Sequence, residues 1–226
     1  MLILDVRVAI EATHEHALNE WYNMHVPRLV SVPGYTSGRR FLALTEGPRH
    51  AALYEIDHVD SLPSLLGADE RQRHPLTLSE WADWDRRFVP HMTHETTNLY
   101  VATDADGPVL VGDAPIVEFR FESGATPDAL MTFCDQDLIP ELEQSDSVVR
   151  AARLSAAAQA DVQWLETRPR NLLLVQVSDN AAAIALADGD AVPAALRGYG
   201  AADTIEAVAY SQIARHWPHL KEHRHE

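Results

Sequence analysis

The sequence predicts an α+β fold in which one unit of strand, helix, two strands, helix and strand occurs twice. Residues 2–10 alternate between apolar and polar side chains, which is the period of a strand with one buried face. Residues 13–30 instead repeat apolar side chains every three or four positions, which is the period of an amphipathic helix. The pattern also recurs 113 residues later, which predicts two similar halves in one chain.

The first helix has recognisable ends in the sequence. Thr13 can cap its first turn with a side-chain oxygen. Pro27 lacks an amide proton and clashes with the preceding turn, so the helix is predicted to end or kink near His25. The other elements of this half are predicted as two strands, a helical region and a strand, over residues 35–44, 51–56, 60–88 and 96–103.

The second half begins after a turn-rich segment that is predicted to be a linker. Thr126 repeats the cap at Thr13, and Pro140 repeats Pro27. Later elements are predicted as a strand, a helical region and a strand, over residues 172–177, 180–196 and 204–213. The chain is therefore divided into a first half, a linker, a second half and a His-rich charged tail, at residues 1–104, 105–115, 116–214 and 215–226.

The two halves differ at the helix that carries the polar and aromatic side chains. With the offset of 113 residues, Trp21, Tyr22 and His25 correspond to Cys134, Asp135 and Leu138. The polar-aromatic cluster therefore occurs in the first half alone. We expect one working pocket, in the first half, and a structural role for the second half.

Composition limits the classes of function. The chain has 226 residues, of which 46% are hydrophobic, enough for one large domain or two small ones. A net charge of −16 argues against binding to nucleic acid or to an anionic membrane. No apolar run approaches the roughly 20 residues that cross a bilayer, and the first residues lack the pattern of a signal peptide. A cytoplasmic protein is expected, and the single cysteine, Cys134, excludes an intramolecular disulfide.

The first helix and the strand after it resemble the EthD-like family of the dimeric α+β barrel superfamily. The residues that carry the resemblance are, in order, Trp21-Tyr22, His25, Pro27, Pro33-Gly34 and Arg39-Arg40-Phe41. The resemblance implies two ferredoxin-like βαββαβ halves whose sheets pack as a barrel, here as a pseudo-dimer within one chain. Superfamily members include lyases, isomerases, cyclases, monooxygenases and haem proteins, so the resemblance implies the fold more strongly than an activity.

His25 is the first candidate for a catalytic residue. It is the one ionisable group in the apolar stripe of the helix, and an imidazole titrates close to neutral pH. It could therefore exchange a proton with a substrate. The alternative is a core histidine whose nitrogens are satisfied by a carbonyl group or by Tyr22.

The polar residues of the first strand of each half form a second candidate site. Asp5 and Arg7 alternate with apolar residues, and Glu118 and Arg120 repeat them. If one sheet face takes the helices, these four side chains point into the barrel. Carboxylates there could act as bases and arginines could hold an enolate oxygen. The alternative is a structural ion-pair network, because buried charges need partners.

The neighbouring strands and the helix add candidates for ligand contact. One of Arg39 and Arg40 must face the barrel interior, because side chains alternate along a strand. Tyr54 could donate a proton to a substrate oxygen, or could simply pack. Trp21 and Tyr22 of the helix stripe are predicted to contact the ligand.

Histidines are frequent, but their positions do not predict a metal site. Two lie before the fourth strand, at His91 and His94, and four crowd the last eleven residues. Metal sites need ligands that converge in space, and a charged tail is usually solvated. Neither a metal nor another cofactor is predicted.

Three functions remain open at this point. The first is a cofactor-independent lyase or isomerase for a small aromatic, lactone or enol compound, with His25 as the acid or base. Asp5 and Tyr54 would assist, and an arginine would hold the substrate oxygen. The second is a small-ligand-binding or accessory protein without turnover, and the third is a haem-binding or monooxygenase-type barrel. The expected partner is a small molecule, and both a monomer and a homodimer are compatible with the sequence.

Overall fold

Eight antiparallel strands close into a barrel in the computed structural model, which describes residues 1–102, 107–157, 165–166 and 168–217. Around the barrel the strands follow the order β1-β3-β2-β8-β5-β7-β6-β4. Their bounds are β1 Leu2–Ile10, β2 Tyr35–Ala43, β3 His50–Ile56, β4 Met92–Ala102, β5 Ile116–Ser123, β6 Val148–Ala156, β7 Asn171–Val177 and β8 Ala201–His216. The α-helices in the described residues are α1 Glu15–Val30, α2 Leu62–Leu65, α3 Pro75–Arg87, α4 Pro127–Phe133, α5 Ile139–Leu142, α6 Asn180–Asp188 and α7 Ala191–Gly198. None of these helices is long and apolar enough to cross a membrane.

The order of elements is the same before and after the segment that joins β4 to β5. Strand, helix, strand, strand, helix and strand follow each other on both sides of it. Strands β2 and β6 begin and end 113 residues apart, at Tyr35–Ala43 and Val148–Ala156. The spacing agrees with the predicted repeat, while the ferredoxin-like pseudo-dimer remains a prediction.

Alternation along β1 separates two buried environments. Leu4 and Val6 face α1 and the apolar core beneath the helices. Asp5 and Arg7 face the barrel interior, where both are fully buried. The predicted inward orientation of these polar residues is therefore confirmed.

The segment between the halves closes one end of the barrel. Val109 and Leu110 are buried in the interior apolar cluster, and their amides donate to Glu55 Oε1 at 2.7 and 3.2 Å. Arg39 donates from Nη2 to the carbonyl of Leu110 at 2.7 Å and from Nη1 to that of Gly112 at 2.6 Å. Two buried charged side chains thus satisfy the backbone of this non-helical segment, as burial of its polar groups requires.

Helix α1 differs from its prediction at both ends. It runs through Pro27 to Val30 and does not end near His25. The carbonyl that Pro27 leaves without an amide partner belongs to Asn23, which is exposed and can be hydrated. Buried side chains on both sides of Pro27 hold the helix on the sheet. Thr13 lies within a preceding 3₁₀ turn and makes no capping bond, whereas the predicted Thr126 cap is confirmed by its bond to the amide of Ala129.

Two predicted helical regions are broken. Residues 60–88 contain the short helix α2 and, after an irregular segment, α3, which starts at Pro75. Proline suits the first helical position because no partner for its missing amide is needed there. Residues 180–196 divide into α6 and α7, with Gly189 directly after α6. Apolar periodicity does not reveal these breaks.

The burial of His50 predicts that the free energy of unfolding decreases as the pH falls below neutral. His50 is 2% exposed at the start of β3, and its Nε2 lies 3.5 Å from Glu15 Oε1. Burial, followed by the positive charge of Arg40, lowers the pKa of His50 from 6.5 to about 4. The folded chain therefore takes up this proton later than the unfolded chain as pH falls. The stability that depends on neutral His50 is fully present above pH 6.5 and is lost between pH 6.5 and about 4.

Titration of His50 should lower the free energy of unfolding by up to about 3 kcal/mol over this pH range. We expect His50→Leu to abolish this part of the fall. Urea unfolding across that pH range measures it. His16→Leu, at an exposed position on α1, is the matched control and should keep the wild-type pH dependence. An unchanged pH dependence in His50→Leu would show that His50 is not the titrating group.

Candidate functional site

A cavity of about 490 Å³ lies on the helix-facing side of the barrel wall. Its floor comes from β1, β3 and β4, and its roof from α1 and from the region of α3. Five aromatic side chains form much of its wall: Trp21, Tyr22, Tyr54, Trp81 and Trp84. The volume falls in the range of about 300–1,000 Å³ that is usual for small-molecule sites.

His25 is held at this cavity by a buried carboxylate. Its ring stacks on that of Trp21, with centroids 3.9 Å apart. His25 Nδ1 lies 2.9 Å from Glu80 Oε2, and Glu80 Oε1 forms an ion pair with Arg28 Nη1 at 2.9 Å. An ionised carboxylate can only accept, so Nδ1 carries a proton and Nε2 presents a lone pair. Among the described residues, Nε2 has no hydrogen-bond partner.

The environment of His25 favours its neutral form. Burial, the largest effect, lowers the pKa of His25, while its bond to Glu80 acts in the opposite direction. The positive charges of Arg28 and Arg40 lower the pKa further. The ring is therefore unprotonated at neutral pH and able to accept a proton at Nε2.

Tyr54 supplies a hydrogen-bond donor on the floor of the cavity. Its ring is perpendicular to that of His25, with centroids 6.3 Å apart. Burial raises the pKa of Tyr54 well above its usual value, so the hydroxyl stays protonated. This hydroxyl is buried and has no partner in the described part of the chain. Leaving such a group unsatisfied costs about 1–3 kcal/mol, so a ligand or solvent oxygen is expected to pair with it.

The mouth of the cavity carries charged side chains. Three carboxylates, Asp85, Glu95 and Glu166, line it together with one guanidinium, that of Arg73. Glu95 Oε1 accepts from Trp84 Nε1 at 3.0 Å. All three carboxylates are exposed, in contrast to His25 and Tyr54 deeper in the cavity.

The structure does not bring the predicted strand residues to His25. Asp5, Arg7, Glu118 and Arg120 lie inside the barrel, on the opposite face of β1 and β5. Arg7 Nε lies 3.3 Å from Asp5 Oδ2, and Arg7 also pairs with Glu118. This arrangement corrects the expected assistance of His25 by Asp5, because consecutive strand residues point to opposite faces. The buried ion-pair network is the alternative that the geometry favours.

Arg39 and Arg40 also occupy separate environments. Arg39 faces the barrel interior and bonds the linker, as described above. Arg40 faces the helices, where its guanidinium lies 4.3 Å from the ring centroid of Tyr22 and donates to Asn19 Oδ1 at 2.7 Å. It therefore supports Tyr22 from behind and does not line the cavity. Neither arginine is among the residues that line the cavity.

The described residues of the second half do not form a comparable site. Its cavity, beside Leu138, measures about 210 Å³. Asp135, at the position of Tyr22, pairs with Arg153, at the position of Arg40. Cys134 is buried, and burial raises the pKa of its thiol to about 11, so it is unreactive at neutral pH.

Three possible metal ligands meet away from the cavity. Glu11 Oε2 lies 3.4 Å from His14 Nδ1 and 3.5 Å from His91 Nδ1. The two rings are stacked, however, with centroids 3.6 Å apart and planes inclined by 13°. Their in-plane lone pairs therefore run nearly parallel and do not converge on one point, as metal ligation requires. The predicted tail histidines beyond residue 217 lie outside the described residues.

Sequence reasoning missed Glu80 and the carboxylates of the mouth. Glu80 stands on the buried face of α3, between Thr77 and Trp84 at helical spacing. A carboxylate on an otherwise buried helical stripe is a signal that could have been used, since buried charges need partners. Its pairing with a residue 55 positions away is not visible in the sequence.

Comparison with known proteins supports the fold. An anthrone oxidase-like protein superposes with a TM-score of 0.61, at 15% identity, over 97% of this chain and 94% of its own. A protein from Fusobacterium nucleatum, provisionally named a monooxygenase, superposes with a TM-score of 0.59, at 8% identity, over 95% and 93% of the two chains. One from Lactobacillus acidophilus with the same provisional name reaches 0.56, at 7% identity, over 96% of each.

Sequence alone does not assign a family. No protein-family model matches the chain, and no curated protein matches it by sequence. At such low identities the structural likeness shows the fold and nothing further. The chain has an α+β fold of the dimeric α+β barrel type.

Proposed function

We propose that this protein is an oxygenase-type enzyme that acts on a small aromatic compound, with His25 as its general base. One observation carries the proposal. His25 is fixed by buried Glu80 through Nδ1, and its Nε2, which has no hydrogen-bond partner in the described part of the chain, lies at a cavity with aromatic walls. The monooxygenase and anthrone oxidase names of structurally similar proteins agree with it.

The residues of the cavity suit removal of a proton from an electron-rich substrate. His25 Nε2 would take the proton from an activated C–H or O–H group, and Glu80 would stabilise the imidazolium that forms. The Tyr54 hydroxyl would donate a hydrogen bond to the substrate oxygen, where negative charge develops. The aromatic walls would bind the ring system and exclude water.

Molecular oxygen would then be the second substrate. The carbanion transfers electrons to O₂ as a carbon–oxygen bond forms, and the imidazolium returns its proton to the peroxide. Loss of one water from a secondary hydroperoxide leaves a ketone. The overall reaction converts one CH₂ group and one O₂ into one C=O group and one water, and His25 is regenerated.

The predicted lyase or isomerase would use the same first step. Proton removal by His25 is common to both reactions, but the three similar structures described above carry oxidase or monooxygenase names. The oxygenase reaction is therefore preferred. A ligand-binding protein without turnover would bind the same compounds and return them unchanged.

Anthrone is a suitable first substrate for the test, together with a panel of naphthols. We expect one O₂ to be consumed for each anthrone oxidised, at a rate above that of buffer and of heat-denatured protein. An oxygen electrode and the absorbance of the quinone product measure the two quantities. Tight binding without oxygen uptake for the whole panel would replace the oxygenase by the binding protein.

The charges around His25 predict opposite shifts of the pH–rate profile. Glu80 raises the pKa of His25 and Arg28 lowers it. Glu80→Gln should therefore move the acid limb of kcat/KM to lower pH and Arg28→Gln should move it to higher pH. Glu80→Gln should also reduce kcat about tenfold or more, because the ring loses its orienting partner. Shifts in the same direction would show that the acid limb does not report His25.

Haem binding is a second candidate, favoured by the same histidine. An imidazole whose Nδ1 donates to a carboxylate while Nε2 lies at a cavity could bind a haem iron, and here His25 would be that ligand. Haem titration distinguishes the candidates. A Soret band that is lost in His25→Ala would support haem binding, whereas the oxygenase proposal expects no specific band.

We also propose that the chain is a tandem duplication of an EthD-like unit, with the site in residues 1–104 and a structural second half in 116–214. Supporting observations are the repeated order of elements and the larger cavity of the first half. Residues 105–115 would be the linker, of which 105 and 106 lie outside the described residues. Of the predicted tail, residues 215–226, Arg215 and His216 belong to β8 and 218–226 lie outside the described residues.

A further inference from the structure

The charges at the mouth of the cavity are strongly unbalanced. Asp85, Glu95 and Glu166 line it, and the guanidinium of Arg73 is the one permanently cationic group there in the described residues. None of these carboxylates forms an ion pair in the described part of the chain. Glu95 is bonded to an indole N–H, which is uncharged. The buried carboxylates Glu80 and Glu118, in contrast, do have cationic partners.

Arg73 is already engaged elsewhere. Its guanidinium lies 5.2 Å from the ring centroid of Trp81, and its Nε donates to the carbonyl of Gly67. It is therefore oriented by the wall and the adjoining loop. A ligand that reaches the mouth meets three negative charges and one partly occupied positive charge.

The inner and outer parts of the cavity differ in chemistry. The inner part offers an acceptor, His25 Nε2, and a donor, the Tyr54 hydroxyl, between aromatic rings, and the hydroxyl-bearing residues Tyr22 and Thr96 also line the cavity. A hydroxyl or enol group on an aromatic ring can satisfy both. The outer part offers carboxylates beside indole rings, and both attract a cation, the carboxylates by charge and the rings through their π faces.

We propose that the cavity selects its ligand by charge: a hydroxylated aromatic ring enters first, and the outward end carries a protonated amine or no charge, never a carboxylate. The inference deepens the proposed function and rests on it to the extent that this cavity is the substrate site. It replaces the expectation of an arginine-held anion. The chain's net charge of −16 acts in the same direction at long range.

Three naphthols that differ in one substituent test the proposal. The substituent, on the ring away from the hydroxyl, is aminomethyl, hydroxymethyl or carboxylate, and binding to the full-length protein is measured by isothermal titration calorimetry at neutral pH. We expect affinity to fall in that order, with at least about a tenfold difference between amine and carboxylate. Added sodium chloride should reduce the difference by screening.

A triple variant, Asp85→Asn, Glu95→Gln and Glu166→Gln, assigns the selectivity to the mouth. It should bring the amine and carboxylate compounds to within about threefold of each other. A control triple variant with the same change in net charge should keep the wild-type order. It replaces exposed carboxylates of the second half, at Asp137, Asp146 and Asp188, by asparagine.

Several results would overturn the inference. The first is that the carboxylate compound binds as tightly as the amine compound, and the second is that no naphthol binds. The third is that the ratio of the amine and carboxylate affinities is unchanged in the triple variant at the mouth. The fourth is that the control triple variant loses this selectivity to the same extent. Failure of the proposed function looks different. Selective binding without oxygen uptake would remove the oxygenase and leave the charge selectivity intact.

Discussion

Replacing His25 with alanine is expected to slow oxygen consumption about 100-fold to 10,000-fold, the usual contribution of a general base. The loss should appear in kcat, while the affinity for the hydroxymethyl naphthol changes little, because the aromatic walls remain. The fold should tolerate the change. Glu80 keeps its ion pair with half-exposed Arg28, so no buried charge is left without a partner.

His50→Gln is the matched control for this prediction. His50 is also a buried histidine of the first half, but it does not line the cavity. The control should keep wild-type turnover. Wild-type turnover in His25→Ala would contradict the role of His25 as a base, and equal losses in both variants would indicate a general effect on folding.

Replacing Arg7 with methionine is expected to destabilise the fold by about 3–5 kcal/mol, because it leaves buried carboxylates without their cation. Arg7 contacts Asp5 and Glu118, and all three side chains are fully buried in the barrel. Arg120 lies 4.0 Å from Asp5 Oδ2 and offers incomplete compensation. The free energy of unfolding in urea measures the effect.

The double variant Arg7→Met, Glu118→Met provides the critical comparison. It removes both the cation and one of its anions, and should therefore be more stable than Arg7→Met alone. Arg197→Met, at an ion pair on the surface, should change stability little. If the double variant folds with unchanged stability but loses turnover, the site would be the barrel interior and not the cavity.

Periodicity predicted most of the fold because it reports local geometry. The alternation of apolar and polar residues in β1 predicted that Asp5 and Arg7 point inward. The apolar stripe of α1 predicted that His25 is buried. Strands β2, β3 and β7 lie within one residue of their predicted bounds at each end. Buried positions constrain sequence strongly, since a shift by one residue reverses the two faces.

The location of the site could not be predicted in the same way. Alternation shows that β1 has two buried faces, but it does not show which face borders an empty space. The interior proved to be filled by ion pairs and apolar side chains, whereas the cavity lies beneath α1 and α3. Its volume depends on how far the Trp81 and Trp84 side chains stand from the sheet, which is a property of tertiary packing.

The partner of His25 was missed for a related reason. Glu80 is separated from it by 55 residues and by two strands, and one sequence contains no record of that contact. The end of α1 was mispredicted because packing of the buried stripe outweighed the local effect of Pro27. Local rules therefore fail here at positions where tertiary contacts determine the energy.

A crystal structure with the hydroxymethyl naphthol bound tests most directly whether this cavity is the working site. We predict that the naphthol ring lies between the indole rings of the cavity, with its hydroxyl within hydrogen-bonding distance of His25 Nε2 and Tyr54 Oη. The hydroxymethyl group should point to the carboxylates at the mouth. Electron density for the ligand inside the barrel beside Arg7, or a bound ligand whose hydroxyl is turned away from His25, would contradict this assignment.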